Sequence, residues 1–267
     1  MSKAEDFFGN SEPMWRAILS GDETVLRRGR RFFKMISPGA NERCRICFAP
    51  FEGMTAPLAR WMGRGQWHRN PHYCDRCEQS FREHRGGAEL DLAVVFADVR
   101  GSTQLAAGMR PAQFGALMQR FYLAATKVFR ETDALVDKMV GDEVIGLYFP
   151  GLVNADCRRS AALAGIELLR ATGHGSAEEP WLSIGVGVHA GTAFVGSLGV
   201  LGGSYEFAVL GDTMNLGARL ATAAKGGEII ISQAVWPRLG GEIAAQPRTL
   251  ELKGIAEPVQ AYVANLR

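Results

Sequence analysis

The sequence has no long apolar run and little net charge. None of its hydrophobic stretches approaches the ~20 residues that cross a bilayer core. The opening MSKAEDFFGN is acidic and has no apolar segment, which argues against a secretory signal. A formal charge of +2 is too small to indicate nucleic acid or an acidic surface as the main partner. We therefore expect a cytoplasmic protein with no membrane span.

Cysteine is also scarce, yet its spacing is informative. Four of the five cysteines form two CxxC pairs separated by 26 residues, which are Cys44/Cys47 and Cys74/Cys77. In a reducing compartment such pairs indicate a metal site rather than disulfides. A closed Zn²⁺ site with four cysteine ligands is the first interpretation and an iron–sulfur cluster is the alternative; His68 and His72 are near enough in sequence to compete as ligands. Residues 37–85 show no sustained periodicity, so a bound metal would take the place of a hydrophobic core.

The N-terminal segment carries a helical pattern. Apolar residues at helical spacing from Val25 to Ile36 predict a helix over residues 11–36. Its apolar stripe, which includes Phe32, should pack on the rest of the N-terminal module. A charged, glycine-containing stretch near residues 84–88 then marks a boundary. The chain is thus predicted to contain a helical segment (1–36), a zinc-ribbon-like metal module (37–87) and a larger domain (88–267).

From Leu90 onward, strand patterns alternate with helical ones. LAVVFADV is typical of a buried strand, and Pro111 opens a helical pattern that runs to residue 130. ALVDKM and EVIGLYF flank VGD as the arms of a β-hairpin. Further strands and helices follow to the end of the chain. This alternation predicts an α+β or α/β domain in which helices cover one sheet.

Two carboxylates stand at the ends of predicted strands. Asp98 ends the first strand and precedes a short glycine-containing loop, while Asp142 lies at the tip of the hairpin. If the strand pairs beside the hairpin, both carboxylates reach one edge of the sheet, as Mg²⁺ with its oxygen ligands would require. The loop N–H groups before the next helix would then cradle a polyphosphate. The alternative is that Asp98 caps a helix and Asp142 is an ordinary turn residue.

A third element has the chemistry of phosphoryl transfer. Asn215 and Arg219 are four residues apart on a predicted helix and so share one face. The amide suits a sugar hydroxyl or ring oxygen, and the guanidinium suits charge that builds up on a phosphorus atom. By itself such a pair is more often a solvated helix face.

Taken together, these residues resemble the class III adenylate/guanylate cyclases. The matching stretches are VVFADVRGST (94–103), LVDKMVGDEVIGLYF (135–149), VGVHAGTAFVGSLG (186–199), VLGDTMNLGARL (209–220) and LKGIAEPVQAYV (252–263). The resemblance implies an α+β cyclase-type sheet with flanking helices and a ferredoxin-like core. It also implies conversion of a nucleoside triphosphate to a 3′,5′-cyclic nucleotide and pyrophosphate, with two Mg²⁺ (or Mn²⁺) ions per site.

The resemblance assigns a role to particular residues. The implied metal ligands are Asp98, the Val99 carbonyl and Asp142; the implied substrate-binding residues are Lys138 for the base, Gly101, Ser102 and Thr103 for the phosphates, and Lys253 for the triphosphate. Asn215 would orient the ribose and Arg219 would stabilise the transition state. In the family the metal ligands come from one subunit and the lysine, asparagine and arginine from the other. A homodimer with two composite sites is therefore implied.

The base pocket departs from the family pattern. Adenylate cyclases place Asp or Thr against the adenine amino group, where this chain has Ala208, although Lys138 keeps the adenylate-type residue. Ser102 also stands where Phe is common. ATP is the favoured substrate, with GTP, CTP or UTP as alternatives. Two other classes stay open: a non-catalytic nucleotide sensor, and a nucleic-acid-binding zinc module that would use the basic and aromatic residues of 60–69.

Overall fold

The structure, a computed structural model, covers most of the chain. It describes residues 11–20, 23–38, 42–67, 73–83, 86–153, 156–199 and 205–266. Among these residues, no helix is both long enough and apolar enough to cross a membrane. The chain divides into two compact units, one formed by residues 1–90 and 194–210 and the other by residues 91–193 and 211–267.

The helices and strands alternate as the sequence predicts beyond residue 90. The α-helices are α1 (Glu12–Ser20), α2 (Glu23–Ile36), α3 (Ala56–Trp61), α4 (Asp75–Glu83), α5 (Ser102–Gly108), α6 (Pro111–Glu131), α7 (Cys157–Ala171) and α8 (Asp212–Ala223). The strands are β1 (Gly86–Val99), β2 (Leu135–Val140), β3 (Glu143–Tyr148), β4 (Ile184–Gly199), β5 (Tyr205–Leu210), β6 (Glu228–Ser232), β7 (Gln246–Leu250) and β8 (Val259–Asn265). The expected hairpin around VGD is confirmed as β2 and β3.

In the first unit, the predicted helical segment over 11–36 contains two helices, α1 and α2. Phe32 of the predicted apolar stripe is 40% exposed, whereas its neighbour Phe33 is buried at 1% exposed. Helix α2 nevertheless packs on the metal module. The Arg30 Nε donates to the Ile46 carbonyl at 2.9 Å, and its guanidinium lies 4.7 Å from the centre of the Phe48 ring. A cation–π contact therefore supplements apolar packing here.

The first unit also contains the C-terminal part of β4, from Phe194 to Gly199, and all of β5. These segments pair antiparallel from Phe194 opposite Leu210 to Gly199 opposite Tyr205. Trp15 of α1 is fully buried, and its ring centre lies 6.1 Å from that of Phe207 on β5. Aromatic pairs at this separation stabilise the folded protein beyond the effect of burying their apolar surface. The N-terminal helix is thereby packed against the strand that precedes α8.

In the second unit, helices flank one mixed sheet. The strand order of this sheet is β2-β3-β1-β4-β6-β8-β7. Strand β1 is antiparallel to β3, whereas β4 is parallel to β6. Helices α6 and α7 close the core with Phe121, Phe129, Leu168 and Leu169, each at most 1% exposed. The expected α+β fold, a sheet with flanking helices, is confirmed.

Helix α8 lies unusually close to the sheet. A Cβ atom on Gly217 would come within 2.7 Å of the Phe96 ring, and one on Gly187 would overlap the backbone nitrogen of Ala221. Two glycines therefore permit contact between helix backbone and strand. The opposite face of α8 points outward, and Asn215 and Arg219 are both exposed on it.

Replacing Gly217 with alanine should destabilise the protein, because the new methyl group overlaps the Phe96 ring. We expect the free energy of unfolding to fall by about 1–3 kcal/mol, as is typical of an overpacked core. Gly115→Ala is the matched control, since Gly115 is also inside a helix but a Cβ atom added to it would have no neighbour within 4 Å. That variant should gain about 0.5–1 kcal/mol from helix propensity. Urea unfolding measures both, and equal stabilities would contradict the close packing of α8.

Candidate functional site

The structure brings Asp98 and Asp142 to the same end of the sheet. Strands β1 and β3 pair antiparallel up to Asp98 opposite Glu143. Beyond that pair, the Val99 N–H donates to the Asp142 carbonyl at 3.0 Å. The hairpin tip is held from the side by α6, where the Tyr122 hydroxyl donates to the Gly141 carbonyl at 2.6 Å. Asp98 and Asp142 therefore lie at the same edge of the sheet, where the sequence pattern predicts them.

Two carboxyl groups at this edge, those of Asp98 and Glu143, have raised pKa values, and burial is the main cause of both. Burial raises the pKa of Asp98, and Asp142 raises it further while Arg100 opposes both. Burial, together with Asp98 and Asp142, raises the pKa of Glu143 to about 6. The charge of Asp142 thus adds to the effect of burial in disfavouring the ionised forms of Asp98 and Glu143. A divalent cation with oxygen ligands would relieve this repulsion, so the donor set fits Mg²⁺ or Mn²⁺.

Two residues of this edge were missed by the sequence reasoning. Glu143 follows Asp142 directly and lies opposite Asp98 through the pairing of β1 with β3, whereas the hairpin pattern in the sequence predicts only the pairing of β2 with β3. Arg100 pairs with the Asp98 carboxylate and also donates to the Thr222 carbonyl, 122 positions away in sequence. Local sequence carries no signal for that second contact.

The predicted phosphate loop follows β1 directly. Gly101 has a left-handed backbone with φ of 67° and precedes the first residue of α5. Glycine suits this conformation, which side-chain-bearing residues rarely adopt. Ser102 is half-buried, while Gly101 and Thr103 are exposed. The loop is therefore open to solvent beside the carboxylates.

The remaining predicted substrate residues lie on other elements. Asn215 and Arg219 are exposed on α8, and Lys253 is exposed in the connection between β7 and β8. In the described part of the chain, no hydrogen bond or ion pair joins Asn215 or Arg219 to the carboxylate edge. Lys138 belongs to β2, inside a break in the pairing register between Val136 and Met139. Ala208 is half-buried on β5 and belongs to the first compact unit.

The four paired cysteines converge on one point. Their sulfur atoms all lie within 4.8 Å of one another, and the Cys47 and Cys74 sulfurs are 3.6 Å apart. The first pair lies on a tight turn, in which the Phe48 N–H donates to the Cys44 carbonyl at 2.8 Å. The second pair lies at the start of α4, where the Cys77 N–H donates to the Cys74 carbonyl at 3.0 Å.

These separations suit a single tetrahedral metal ion. Metal–sulfur bonds of about 2.3 Å give tetrahedral sulfur–sulfur edges of about 3.8 Å. A multi-iron cluster attaches its cysteines to different iron atoms, which requires the sulfurs to stand further apart. The predicted competing ligands His68 and His72 lie outside the described residues.

Comparison with known proteins covers the larger part of the chain. Residues 88–265 match the family model described as the adenylate and guanylate cyclase catalytic domain. An adenylate cyclase of Anabaena cylindrica is 26% identical over 183 residues, which cover 64% of this chain and 36% of that protein. The chain thus spans little more than a third of that relative's length.

Solved structures share the fold as well. The guanylyl cyclase Cya2 is 25% identical with a TM-score of 0.60, and the alignment covers 68% of this chain and 95% of that one. The adenylyl cyclase CyaB from P. aeruginosa is 25% identical with a TM-score of 0.59, covering 68% of this chain and 97% of that one.

Proposed function

This chain belongs to the family of adenylate and guanylate cyclase catalytic domains, and we propose on that premise that it makes a 3′,5′-cyclic nucleotide from a nucleoside triphosphate. The observation that carries the proposal is the meeting of Asp98 and Asp142 beside the open loop at Gly101, with the Val99 N–H bonded to the Asp142 carbonyl at 3.0 Å. Family members whose substrates differ share this fold, so the fold by itself does not determine the choice of base.

In the proposed reaction the ribose 3′-oxygen attacks the α-phosphorus of the same nucleotide. The bond from the α-phosphorus to the bridging oxygen of the β-phosphate breaks, pyrophosphate leaves, and the hydroxyl proton passes to solvent. Asn215 would hold the ribose so that its 3′-oxygen is aligned for in-line attack. Arg219 would donate to the non-bridging oxygens of the α-phosphate as charge builds there.

The carboxylate edge would hold the two divalent ions of the reaction. Asp98, Asp142 and the Val99 carbonyl are the proposed ligands, and bound ions of this kind acidify a hydroxyl and neutralise phosphate charge. The loop at Gly101, Ser102 and Thr103 would bind phosphate oxygens through backbone N–H groups. We propose that Lys253 reaches the triphosphate from its exposed position.

We propose that the active form is a homodimer with composite sites. Asn215 and Arg219 lie on an exposed helix face with no described hydrogen bond or ion pair to Asp98 or Asp142, which agrees with a second chain bringing them to the metal ligands. Each symmetric dimer would then hold two equivalent sites.

Asp98→Ala and Arg219→Ala should each abolish cyclase activity, because one removes a metal ligand and the other the transition-state guanidinium. Mixing the two inactive proteins should restore roughly a quarter of wild-type activity, since half the dimers are mixed and each contains one intact site. Cyclic product is measured by mass spectrometry, and mixed dimers are counted by native mass spectrometry.

Asp91→Ala is the control for this experiment. Asp91 also lies on β1, but its carboxylate pairs with Arg158 at 2.7 Å on the surface, so its loss should leave turnover unchanged. Turnover by Asp98→Ala would contradict the proposed metal ligands. Mixed dimers without activity would contradict the composite site.

We propose that ATP is the preferred substrate and that discrimination between bases is loose. Lys138 is the residue typical of adenylate cyclases, whereas Ala208 has no polar group to offer a base. A site rejects a wrong base mainly through buried polar groups that the wrong base leaves unpaired. Incubation with ATP, GTP, CTP and UTP in turn, with Mg²⁺ or Mn²⁺, tests the function itself, and no product from any of them would refute it.

Ala208→Thr should sharpen the preference for ATP by supplying the missing hydroxyl. We expect the ratio of kcat/KM for ATP over GTP to rise about tenfold, the size of one added polar contact. Ala208→Val is the matched control, because valine has the shape of threonine without the hydroxyl. An equal change in both variants would show that side-chain volume, not hydrogen bonding, acts at this position.

We propose that the four-cysteine site holds one Zn²⁺ and that the N-terminal module supports the catalytic domain without taking part in the chemistry. The tetrahedral spacing of the sulfurs favours a single ion. The module contributes none of the proposed active-site residues. Trp15 packs against Phe207 on β5, and β5 leads through Gly211 into the helix that carries Asn215 and Arg219.

The double variant Cys44→Ser/Cys74→Ser should lose zinc and unfold the module, because metal binding at such sites is also folding energy. Metal analysis should find one zinc per wild-type chain, and the anaerobically purified protein should have no visible absorption. Cys157→Ala, which alters the lone cysteine of α7, should keep its zinc. A brown protein would indicate an iron–sulfur cluster instead. Normal stability, dimerisation and kinetics in the double variant would contradict a supporting role.

A further inference from the structure

The Arg100 side chain lies between Asp98, a proposed metal ligand, and the end of helix α8. Its Nη2 donates to the Asp98 carboxylate, and its Nε donates to the Asp98 carbonyl at 3.2 Å. Its Nη1 donates to the Thr222 and Ala224 carbonyls, each at 3.1 Å. The Arg100 side chain is 22% exposed and that of Asp98 is 26% exposed. The guanidinium therefore uses four of its five N–H donors in a partly buried setting.

The Thr222 and Ala224 carbonyls both belong to the C-terminal end of α8. The last carbonyls of a helix have no partner within the helix and carry its negative dipole end. A guanidinium that donates to two of them satisfies those acceptors and complements the dipole. The Arg100 backbone is held as well, because its N–H donates to the Ser183 carbonyl at 2.8 Å. The side chain is thus fixed at both of its ends.

We infer that Arg100 is a positioning residue that ties the metal-binding carboxylate of Asp98 to the helix that carries Asn215 and Arg219. The inference rests on the proposed function, which gives those residues their roles. If the sites are composite, Asp98 and α8 of one chain serve different sites of the dimer. Arg100 then sets the spacing between the two half-sites that each chain contributes.

A positioning role and a purely electrostatic role predict different kinetics. A fixed positive charge beside Asp98 opposes the binding of a divalent cation, so its removal alone would tighten metal binding and leave the chemical step intact. Loss of a tie would instead misplace Asp98 relative to α8. Misplacement by ~1 Å can cost on the order of a hundredfold in rate.

The test uses the full-length protein with Arg100→Met and Arg100→Lys. Lysine keeps the charge but is a point donor that cannot span the carboxylate and two carbonyls together. Arg159→Met is the matched control, because Arg159 makes a surface pair with Glu242 at 2.6 Å away from the carboxylate edge. Three quantities are measured: kcat at saturating Mn²⁺, Mn²⁺ binding by electron paramagnetic resonance with a 3′-deoxynucleoside triphosphate that cannot cyclise, and amide hydrogen exchange in the last turn of α8.

We expect Arg100→Met to lower kcat between about tenfold and a hundredfold, without weaker Mn²⁺ binding. Exchange in the last turn of α8 should become roughly tenfold faster, as fits the loss of a stabilising hydrogen bond. Arg100→Lys should recover less than half of the lost rate, and Arg159→Met should match the wild type in all three quantities.

Several results would overturn the inference. They are a kcat within twofold of wild type in Arg100→Met, unchanged exchange in α8, or full recovery by lysine, which would indicate charge alone. If the wild type itself forms no cyclic product, the proposed function fails, but Mn²⁺ binding and exchange in α8 still decide whether Arg100 ties the two elements.

Discussion

The antiparallel register of β1 and β3 decides where the carboxylates of this protein lie. Each residue of β1 from Ala93 to Asp98 has a fixed partner on β3, and both strands are largely buried. A slip of one residue would exchange Ala93, Val95 and Ala97, which pack in the main core, with Val94 and Phe96, which pack against Gly217 on the other face. Core packing therefore favours the pairing that ends with Asp98 opposite Glu143. The turn between β2 and β3 then places Asp142, the residue before Glu143, at the same edge of the sheet. The apolar packing of β1 and β3 therefore brings several carboxylates close together, and a divalent cation bound between them would reduce their mutual repulsion.

The position of helix α8 depends on a second constraint, which is the lack of a side chain at two glycines. Gly217 and Gly187 let the helix backbone approach the sheet more closely than any Cβ would permit. Close seating of one face leaves the opposite face outward, where Asn215 and Arg219 are exposed. The end of the helix is then held by Arg100, which also holds Asp98. Glycine packing therefore determines how close α8 lies to the sheet, and the hydrogen bonds of Arg100 determine where its C-terminal end lies relative to Asp98.

The N-terminal unit is stabilised differently from the catalytic domain. It consists largely of short helices and turns, and the sulfur atoms of its four paired cysteines converge on one point. A metal ion supplies stability in such a segment because binding and folding occur together. Cation–π contacts of α2 with Phe48 and the packing of Trp15 on Phe207 connect this unit internally.

Periodicity and spacing determined the elements of this protein and much of its candidate site. The hairpin around Asp142, the long helix from Pro111 and the paired cysteines all follow from local pattern, because turn chemistry, amphipathic faces and metal-ligand spacing are written over a few residues. The burial of Phe33 rather than Phe32 did not follow, since the contacts that select the buried face of α2 come from elsewhere in the chain. The same holds for Arg100 and for the seating of Gly217 on Phe96. Their partners are far away in sequence and are defined only when the sheet is assembled, so tertiary structure alone decided how the carboxylate edge and helix α8 are joined.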